Sequence, residues 1–500
     1  MAMQDPKVRR FRQGRRSKRY DLAVVGAGTA GLVSSLIAVG AGARVVLVEA
    51  ERTGGDCLWT GCVPSKSLLA AAELAQRMRE GERLGVGGGE PEIDFARVMA
   101  HVDRARCKLA PHDSPERLRR AGVEVIEAAG RFRAPGELET AGRVLRHRAA
   151  IIATGSVPAL PPVRGLEDAQ PLTSDTIWDL RRLPGRLAVL GGGPIGCELG
   201  QAFARLGSSV TLIEADQRLL AREEPRAAAL IAERLRAEGV EVLTGTPASE
   251  VRPRADGAGT VVLEAARGGV SHELEFDRIF VSTGRRPMTD GLGLEALGIA
   301  ADDAGAVPVD SRLRTAAAGV YAAGDVTGAL PFTHVAAYHA RVASINALFH
   351  ARRTVDYRAL PWVTFTDPEV ARVGMSEAQA RRRWGKRARI VEFDYAQLDR
   401  AITADRALGF AKLVGDRRGR LVGATVAAPA AGESIAELTA WIAQRASIGR
   451  VSTTVHAYPT FSEGPARAAD EYLRARYATP RTRALTRPAL ALLRLLERPG

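Results

Sequence analysis

Cysteine is scarce in this chain, with four among 500 residues, which excludes a scaffold held together by disulfides. Apolar residues make up 46% of the sequence, yet no stretch approaches the ~20 apolar residues of a membrane-spanning helix. The amino terminus is basic and lacks the apolar core of a signal peptide. We therefore expect a cytoplasmic protein of several domains.

Aromatic residues are also few, at 5%, although the formal net charge is +14. Residues 1–19 carry eight Lys or Arg against one Asp, and residues 474–500 carry seven Arg against one Glu. The tails thus hold 13 of the excess charges, and the body between them is nearly neutral. Because no basic patch is interleaved with base-stacking aromatics, we expect no nucleic-acid partner. Residues 1–19 are typical of a disordered basic arm.

Two of the cysteines stand close together. Cys57 and Cys62 lie in a glycine-rich segment that leads into an apolar, helix-forming run. A helix N-terminus favours the thiolate over the thiol and so raises reactivity. The pattern predicts a redox-active pair that forms a disulfide bond. A structural disulfide or half of a zinc site are the alternatives, but Cys107 and Cys197 are isolated and no histidines cluster beside them, so no structural metal site is expected.

A nucleotide-binding pattern occurs twice, each time as strand, glycine turn, helix and second strand. From first glycine to terminal acid the distance is 23 residues in both copies, which end at Glu49 and Glu214. Such glycines let a pyrophosphate approach a helix N-terminus, and the acid accepts from ribose hydroxyls. The repeat predicts two bound dinucleotides and an α/β fold with two Rossmann-like, doubly wound domains. The glycines are Gly26, Gly28 and Gly31 in the first copy and Gly191, Gly193 and Gly196 in the second.

The segment Gly54–Lys66, together with both glycine turns, resembles the class I pyridine nucleotide-disulfide oxidoreductases, the family of dihydrolipoamide dehydrogenase, glutathione reductase and mercuric reductase. The resemblance implies a flavoprotein that passes hydride from NAD(P)H through FAD to the cysteine disulfide and on to an acceptor. FAD would occupy the first copy and the nicotinamide cofactor the second. A carboxylate at Glu214 would repel a 2'-phosphate, which favours NADH, whereas Arg218 or Arg222 could receive the phosphate of NADPH.

Further segments match the same family. The stretches 153–155 and 282–284 resemble its crossings between domains, and 321–325 resembles its second FAD motif, whose Asp binds the ribityl chain. Lys66 and Glu198 match a pair near the flavin N5, where a cation would stabilise reduced flavin. By the same analogy, Cys62 is nearer the flavin and Cys57 meets the acceptor. The additional cofactor-binding residues that the resemblance implies are Thr154, Gly155, Gly324 and Asp325 for FAD and Gly284 for NAD.

The carboxy-terminal third resembles the family's α+β interface domain, which implies a homodimer. Disulfide reductases of the family carry a catalytic His where this chain has Tyr458, oriented by a Glu that is present as Glu463. His456 is two residues away and would be placed differently in an extended segment. A phenol, with a pKa near ~10, is a poor proton shuttle at neutral pH. Efficient turnover of a dithiol substrate is therefore not expected.

Tyrosine at this position is a feature of mercuric reductases, which favours a mercuric reductase-like enzyme acting on a sulfur group or a metal ion. Cys57 and Cys62 would then be a transient Hg(II) site. The chain lacks the metal-binding amino-terminal domain and the carboxy-terminal vicinal cysteines of that branch. Two alternatives stay open: a dihydrolipoamide dehydrogenase, and a flavin-bearing redox sensor or scaffold with little turnover.

Beyond the resemblance, residues 488–496 predict a short helix that starts at proline and is apolar over most of its surface. It would make a peripheral contact with an anionic membrane or pack against the protein's own dimer. The expected domain order is a basic arm (1–19), the first part of the FAD domain (20–155), the NAD(P) domain (156–280), the second part of the FAD domain (281–352), the dimerisation domain (353–475) and a basic amphipathic tail (476–500).

Overall fold

The computed structural model describes residues 19–254, 257–263 and 272–496. Except for Arg19, the basic arm predicted over residues 1–19 lies outside these residues, as do the last four residues of the tail. The strands, in chain order, are β1 (Tyr20–Val25), β2 (Val45–Glu49), β3 (Glu124–Glu127), β4 (Gly130–Ala134), β5 (Glu137–Thr140), β6 (Arg143–Ile152), β7 (Ser156–Pro158), β8 (Arg186–Leu190), β9 (Ser209–Glu214), β10 (Glu241–Thr244), β11 (Ala248–Pro253), β12 (Gly259–Leu263), β13 (His272–Phe276), β14 (Arg278–Val281), β15 (Arg285–Pro287), β16 (Val320–Ala322), β17 (Pro361–Thr364), β18 (Glu369–Gly374), β19 (Arg389–Asp394), β20 (Phe410–Gly415) and β21 (Leu421–Ala428).

The helices, in chain order, are α1 (Thr29–Gly40), α2 (Gly55–Trp59), α3 (Cys62–Glu80), α4 (Phe95–Leu109), α5 (Pro115–Ala121), α6 (Pro194–Arg205), α7 (Pro225–Ala237), α8 (Thr333–Phe349), α9 (Glu377–Trp384), α10 (Asp399–Thr403), α11 (Ala431–Ala443), α12 (Ile448–Thr453), α13 (Glu463–Tyr477) and α14 (Pro480–Leu496). Within the described residues, none of these helices has the length and apolar character that crossing a membrane requires.

The described residues form two compact units, and the first comprises those within 19–59, 106–157 and 285–355. Its main sheet has the order β3-β2-β1-β6-β5-β4, and β16 also pairs with β6. Strand β1 runs parallel to β2 and β6. Both faces of β1 are buried, one against α1 and α8 and the other against apolar side chains that include Phe132 and Leu138. Burial on both faces explains why residues 22–25 of β1 and 45–48 of β2 are continuous apolar runs rather than alternating ones.

The second unit comprises the described residues within 60–105, 158–284 and 356–496. It contains a parallel sheet of order β10-β9-β8-β14, a three-stranded sheet β11-β12-β13 and a five-stranded antiparallel sheet β17-β18-β21-β20-β19. Helix α11 packs on β18 and β21, and α3 packs on α6. This mixed architecture confirms the predicted fold class.

The chain passes from one unit to the other after Trp59, Ala105, Val157, Gly284 and Val355. The expected domain bounds stay a prediction. Residues 60–105, which were expected to lie within the FAD domain, group with the second unit. The assignment of each domain to a cofactor stays a prediction at this stage.

Candidate active site

The first glycine turn joins β1 to α1. Gly26 has φ of +99°, and a Cβ there would lie 2.4 Å from the carbonyl oxygen of Ala153. A Cβ at Gly31 would lie 1.8 Å from the carbonyl oxygen of Gly26. Only glycine fits at these two positions, because the turn, the helix and the neighbouring strand approach too closely for any side chain. Gly28 is the N-cap of α1 and provides no side-chain cap, so this helix N-terminus suits a phosphate group.

The second glycine turn, between β8 and α6, repeats this geometry. Gly191 has φ of +107°, and its Cβ would lie 2.7 Å from the carbonyl oxygen of Ser282. A Cβ at Gly196 would lie 1.9 Å from the carbonyl oxygen of Gly191. The N-cap of α6 is Gly193, again without a side-chain cap. The internal repeat inferred from the sequence is therefore a repeat of backbone geometry, and both turns fit a dinucleotide pyrophosphate.

The acids at the ends of the second strands are held in matching ways. Glu49 accepts from the backbone N–H of Ala27 at 2.5 Å and of Glu51 at 2.8 Å. Glu214 accepts from the backbone N–H of Gly192 at 2.6 Å and, through its second oxygen, from the backbone N–H of Asp216 at 2.7 Å. Each carboxylate is thus fixed against its glycine turn, where a ribose hydroxyl would meet it.

The predicted second FAD motif is organised around Asp325. Its carboxylate accepts from the Ser156 hydroxyl at 2.8 Å, and burial raises the pKa of Asp325. Gly324 has φ of +82° and donates its N–H to Nδ1 of His339 at 3.2 Å. Burial lowers the pKa of His339 to about 4, so the ring is neutral and can accept this bond. Thr154 donates its hydroxyl to the carbonyl of Met288 at 2.6 Å.

The two cysteines of the predicted redox pair lie on two successive helices, α2 and α3. Cys57 is half-buried within α2, whereas Cys62 is exposed and is the first residue of α3. The N-cap of α3 is Gly61, which has no side-chain acceptor. The partial positive charge of the helix N-terminus therefore acts on the Cys62 sulfur, which favours its thiolate.

Lys66 and Glu198 are joined directly. The ammonium of Lys66 lies 2.8 Å from one oxygen of Glu198, and the other oxygen accepts from the backbone N–H of Phe365 at 2.9 Å. The Phe365 ring stacks on the same ammonium, 4.2 Å from its centroid. Glu198 is buried and Lys66 is partly exposed. One amino group is therefore fixed by a carboxylate and by an aromatic face.

Tyr458 is 65% exposed and donates its hydroxyl to Asp399 at 2.8 Å. This bond to a carboxylate raises the pKa of Tyr458 above its ordinary value, so the phenol stays neutral at physiological pH. Glu463 is buried and accepts instead from the backbone N–H of Thr460 at 3.3 Å. Both ring nitrogens of His456 are engaged elsewhere, by Glu437 and by the carbonyl of Thr454, each at 2.8 Å.

Sequence reasoning missed several residues of these sites. Asp399 and His339 lie 59 and 15 residues from the groups they bind, and no spacing rule connects them. Arg285 donates to the Ser156 hydroxyl at 2.8 Å and pairs with Asp56 on α2. The only local signal was the position of Arg285 directly after the predicted 282–284 crossing.

The family profile described as pyridine nucleotide-disulphide oxidoreductase matches residues 20–340, and the profile of its dimerisation domain matches residues 360–469. A dihydrolipoyl dehydrogenase of Thermus scotoductus is 39% identical over 91% of this chain and 97% of its own length. A mercuric reductase of Streptomyces lividans is 37% identical over 91% of this chain and 96% of its own.

Two solved structures have the same fold. The Cu(II) complex of RclA, a HOCl-induced flavoprotein disulfide reductase of Escherichia coli, superposes with a TM-score of 0.79 at 27% identity, over 91% of this chain and 99% of that one. LpdA of Mycobacterium tuberculosis superposes with a TM-score of 0.82 at 28% identity, over 90% and 99%. The chain therefore belongs to the pyridine nucleotide-disulphide oxidoreductase family, flavoprotein oxidoreductases that use FAD and NAD(P)H.

Proposed function

We propose that this enzyme oxidises NADH and reduces a Cys57–Cys62 disulfide, whose dithiol then reduces a soft metal ion or a small sulfur compound. The observation that carries the proposal is the pair of matching glycine turns in a chain whose Cys62 begins a helix. In the first half-reaction NADH gives up a hydride, and with one proton the disulfide becomes two thiols. In the second, the dithiol gives two electrons to the acceptor and loses two protons, to solvent with a metal ion or to the product with a sulfur compound, and the disulfide forms again. FAD supplies the two-electron carrier between nicotinamide and disulfide.

The residues of the first turn would hold FAD. The uncapped N-terminus of α1 suits its pyrophosphate and Glu49 suits its adenosine ribose. Asp325, which is fixed by Ser156, is proposed to bind the ribityl chain. We assign the Lys66–Glu198 pair to the flavin ring on the family resemblance, and Cys62 and Cys57 to the flavin-facing and acceptor-facing sulfurs on the same ground.

NADH is favoured over NADPH by the charge at the end of β9. Glu214 is fixed by two backbone N–H groups, and a carboxylate there repels a 2'-phosphate. Arg218 is engaged by the backbone carbonyls of Ala221 and Glu223. It would have to give up these bonds in order to receive a phosphate.

The acceptor is proposed to be handled as in mercuric reductases, because the Tyr458 phenol is held neutral by Asp399. A neutral phenol can donate a proton but is a weak base, which disfavours deprotonation of a dithiol substrate. The high identity to a dihydrolipoyl dehydrogenase supports lipoamide as the second candidate substrate.

Steady-state NADH oxidation with Hg(II) and with lipoamide tests the proposal. We expect Hg(II) turnover in the wild type and its loss in Cys57→Ser and in Cys62→Ser, with NADH binding retained. Turnover that survives both substitutions would contradict the role of the dithiol. Absence of turnover with either acceptor in flavin-loaded protein would favour a redox sensor or scaffold.

The dimerisation domain supports a homodimer. We further propose that the enzyme is cytoplasmic and that residues 476–500 give it at most a peripheral contact with a membrane.

A further inference from the structure

Helix α14 is exposed along its whole length. It begins at Pro480, eight residues before the predicted start, and Pro488 lies inside it. None of its side chains is buried, in contrast to α13, whose apolar face packs on β19 and β20 of the five-stranded sheet. Its exposed leucines are Leu485, Leu490, Leu492, Leu493, Leu495 and Leu496.

Three of the four arginines and five of the six leucines of α14 segregate to opposite sides of the helix. At 3.6 residues per turn, Arg483, Arg487 and Arg494 fall on one stripe of the helix. Leu485, Leu492 and Leu496 fall on the opposite stripe, and Leu493 and Leu495 flank it. Two residues depart from this pattern: Leu490 lies on the arginine stripe, and Arg481, in the first turn, lies on the leucine stripe. The helix therefore presents a leucine face and an arginine face to solvent.

The charge of this helix is of one sign. Between Arg474 and Leu496 the sequence contains no Asp or Glu. In the described part of the chain, no arginine of α14 has a carboxylate partner. An arginine stripe beside a leucine stripe matches an interface that offers both anions and hydrocarbon.

We propose that α14 lies in the plane of an anionic lipid bilayer, with its leucines toward the acyl chains and its arginines toward headgroup phosphates. A nucleic acid would satisfy the arginines but leave the leucines in water. A second copy of the helix would cover the leucines and leave the arginines without counter-charges. With 17 residues, about 26 Å long, and an arginine stripe, the helix lies on the bilayer rather than across it. The inference deepens the peripheral contact in the proposed function and is independent of the redox chemistry.

The test is cosedimentation of the full-length, flavin-loaded enzyme with phosphatidylcholine vesicles. One set of vesicles is neutral, and the other contains about 30% phosphatidylglycerol as the anionic lipid. We expect binding only to the anionic vesicles. Arg483→Gln, Arg487→Gln and Arg494→Gln together should weaken it about a hundredfold, roughly fivefold for each charge. Leu485→Gln, Leu492→Gln and Leu496→Gln together should abolish it.

The matched control removes three exposed charges elsewhere, Arg382, Lys386 and Arg387, by substitution with Gln, and should leave binding unchanged. The inference is overturned if the leucine variant binds as well as the wild type, or if the wild type binds neutral and anionic vesicles equally. It is also overturned if α14 mediates binding to duplex DNA or self-association and the protein does not bind vesicles. NADH turnover without vesicles should be equal in all four proteins. If turnover is absent while vesicle binding persists, the proposed function fails and the membrane contact stands.

Discussion

At the scale of single residues, we expect Tyr458 to discriminate between the two candidate acceptors. The phenol is held neutral by Asp399, whereas an imidazole with a pKa near ~6.5 could both take and give a proton at neutral pH. We expect Tyr458→His to raise kcat/KM for lipoamide by at least ~10-fold, the lower range of general acid–base effects. Tyr458→Phe is the control and should give no gain. A lipoamide activity that is already high in the wild type and unchanged by the His substitution would contradict this assignment.

We expect Glu214 to set the preference between nicotinamide cofactors. Its carboxylate would accept from the ribose and repel a 2'-phosphate. Glu214→Ala should lower kcat/KM for NADH by about 10-fold, the loss of one charged hydrogen bond, and lower the NADH to NADPH ratio further. Glu241→Ala, at an exposed acid on the neighbouring strand β10, should leave the ratio unchanged. An unchanged ratio in Glu214→Ala would place cofactor selection elsewhere.

At the scale of elements, buried ion pairs and hydrogen bonds hold helix α6 against the loop before β18. Arg205 donates to Asp367 at 3.0 Å and to Glu238 at 2.7 Å, and Gln201 bonds the Asp367 backbone. Because Glu198 lies on the same helix, these interactions also fix the position of the carboxylate that pairs with Lys66. Burial alone would raise the pKa of Asp367, but Arg406 and Arg205 outweigh it and lower that pKa below its ordinary value.

A carboxyl whose pKa is depressed in the folded state adds stability above its unfolded pKa, near ~3.9, and loses it as the pH falls through the folded pKa. Asp367→Asn should therefore cost roughly 3 kcal/mol in the free energy of unfolding at pH 7. The difference in the free energy of unfolding between Asp367→Asn and the wild type should narrow below about pH 4. Urea unfolding at pH 7 and at acid pH measures it, with Asp290→Asn, which breaks an exposed pair, as the control. A gap that is constant with pH would contradict the ionic role of Asp367.

Some elements of the structure can be predicted from the sequence and others cannot. The turn at Gly26 and its repeat at Gly191 follow from spacing, because local sterics demand glycine there. The start of α14 does not, since a proline signals a first turn but is also tolerated inside this helix at Pro488. Contacts such as Tyr458 with Asp399 join distant segments. They depend on how sheets and helices pack, which no local pattern encodes.

At the scale of the whole molecule, the chain carries a dimerisation domain, and we expect the dimer to build each active site from two chains. Coexpression of Cys57→Ser chains with Tyr458→Phe chains, each with its own purification tag, tests this. If each site takes its cysteines from one chain and its tyrosine from the other, the mixed dimer has one intact site and recovers about half of the wild-type turnover per dimer. If both groups come from one chain, the mixed dimer stays as impaired as the two parents.

The central claim is that NADH delivers its electrons to Cys57 and Cys62. The most direct measurement is an anaerobic titration of the flavin-loaded enzyme with NADH, followed by alkylation and mass spectrometry of each cysteine. We expect one equivalent of NADH to make both Cys57 and Cys62 newly alkylatable, NADPH to be much less effective, and Cys107 and Cys197 not to change. Consumption of NADH with bleaching of the flavin but no new thiol at Cys57 or Cys62 would contradict it.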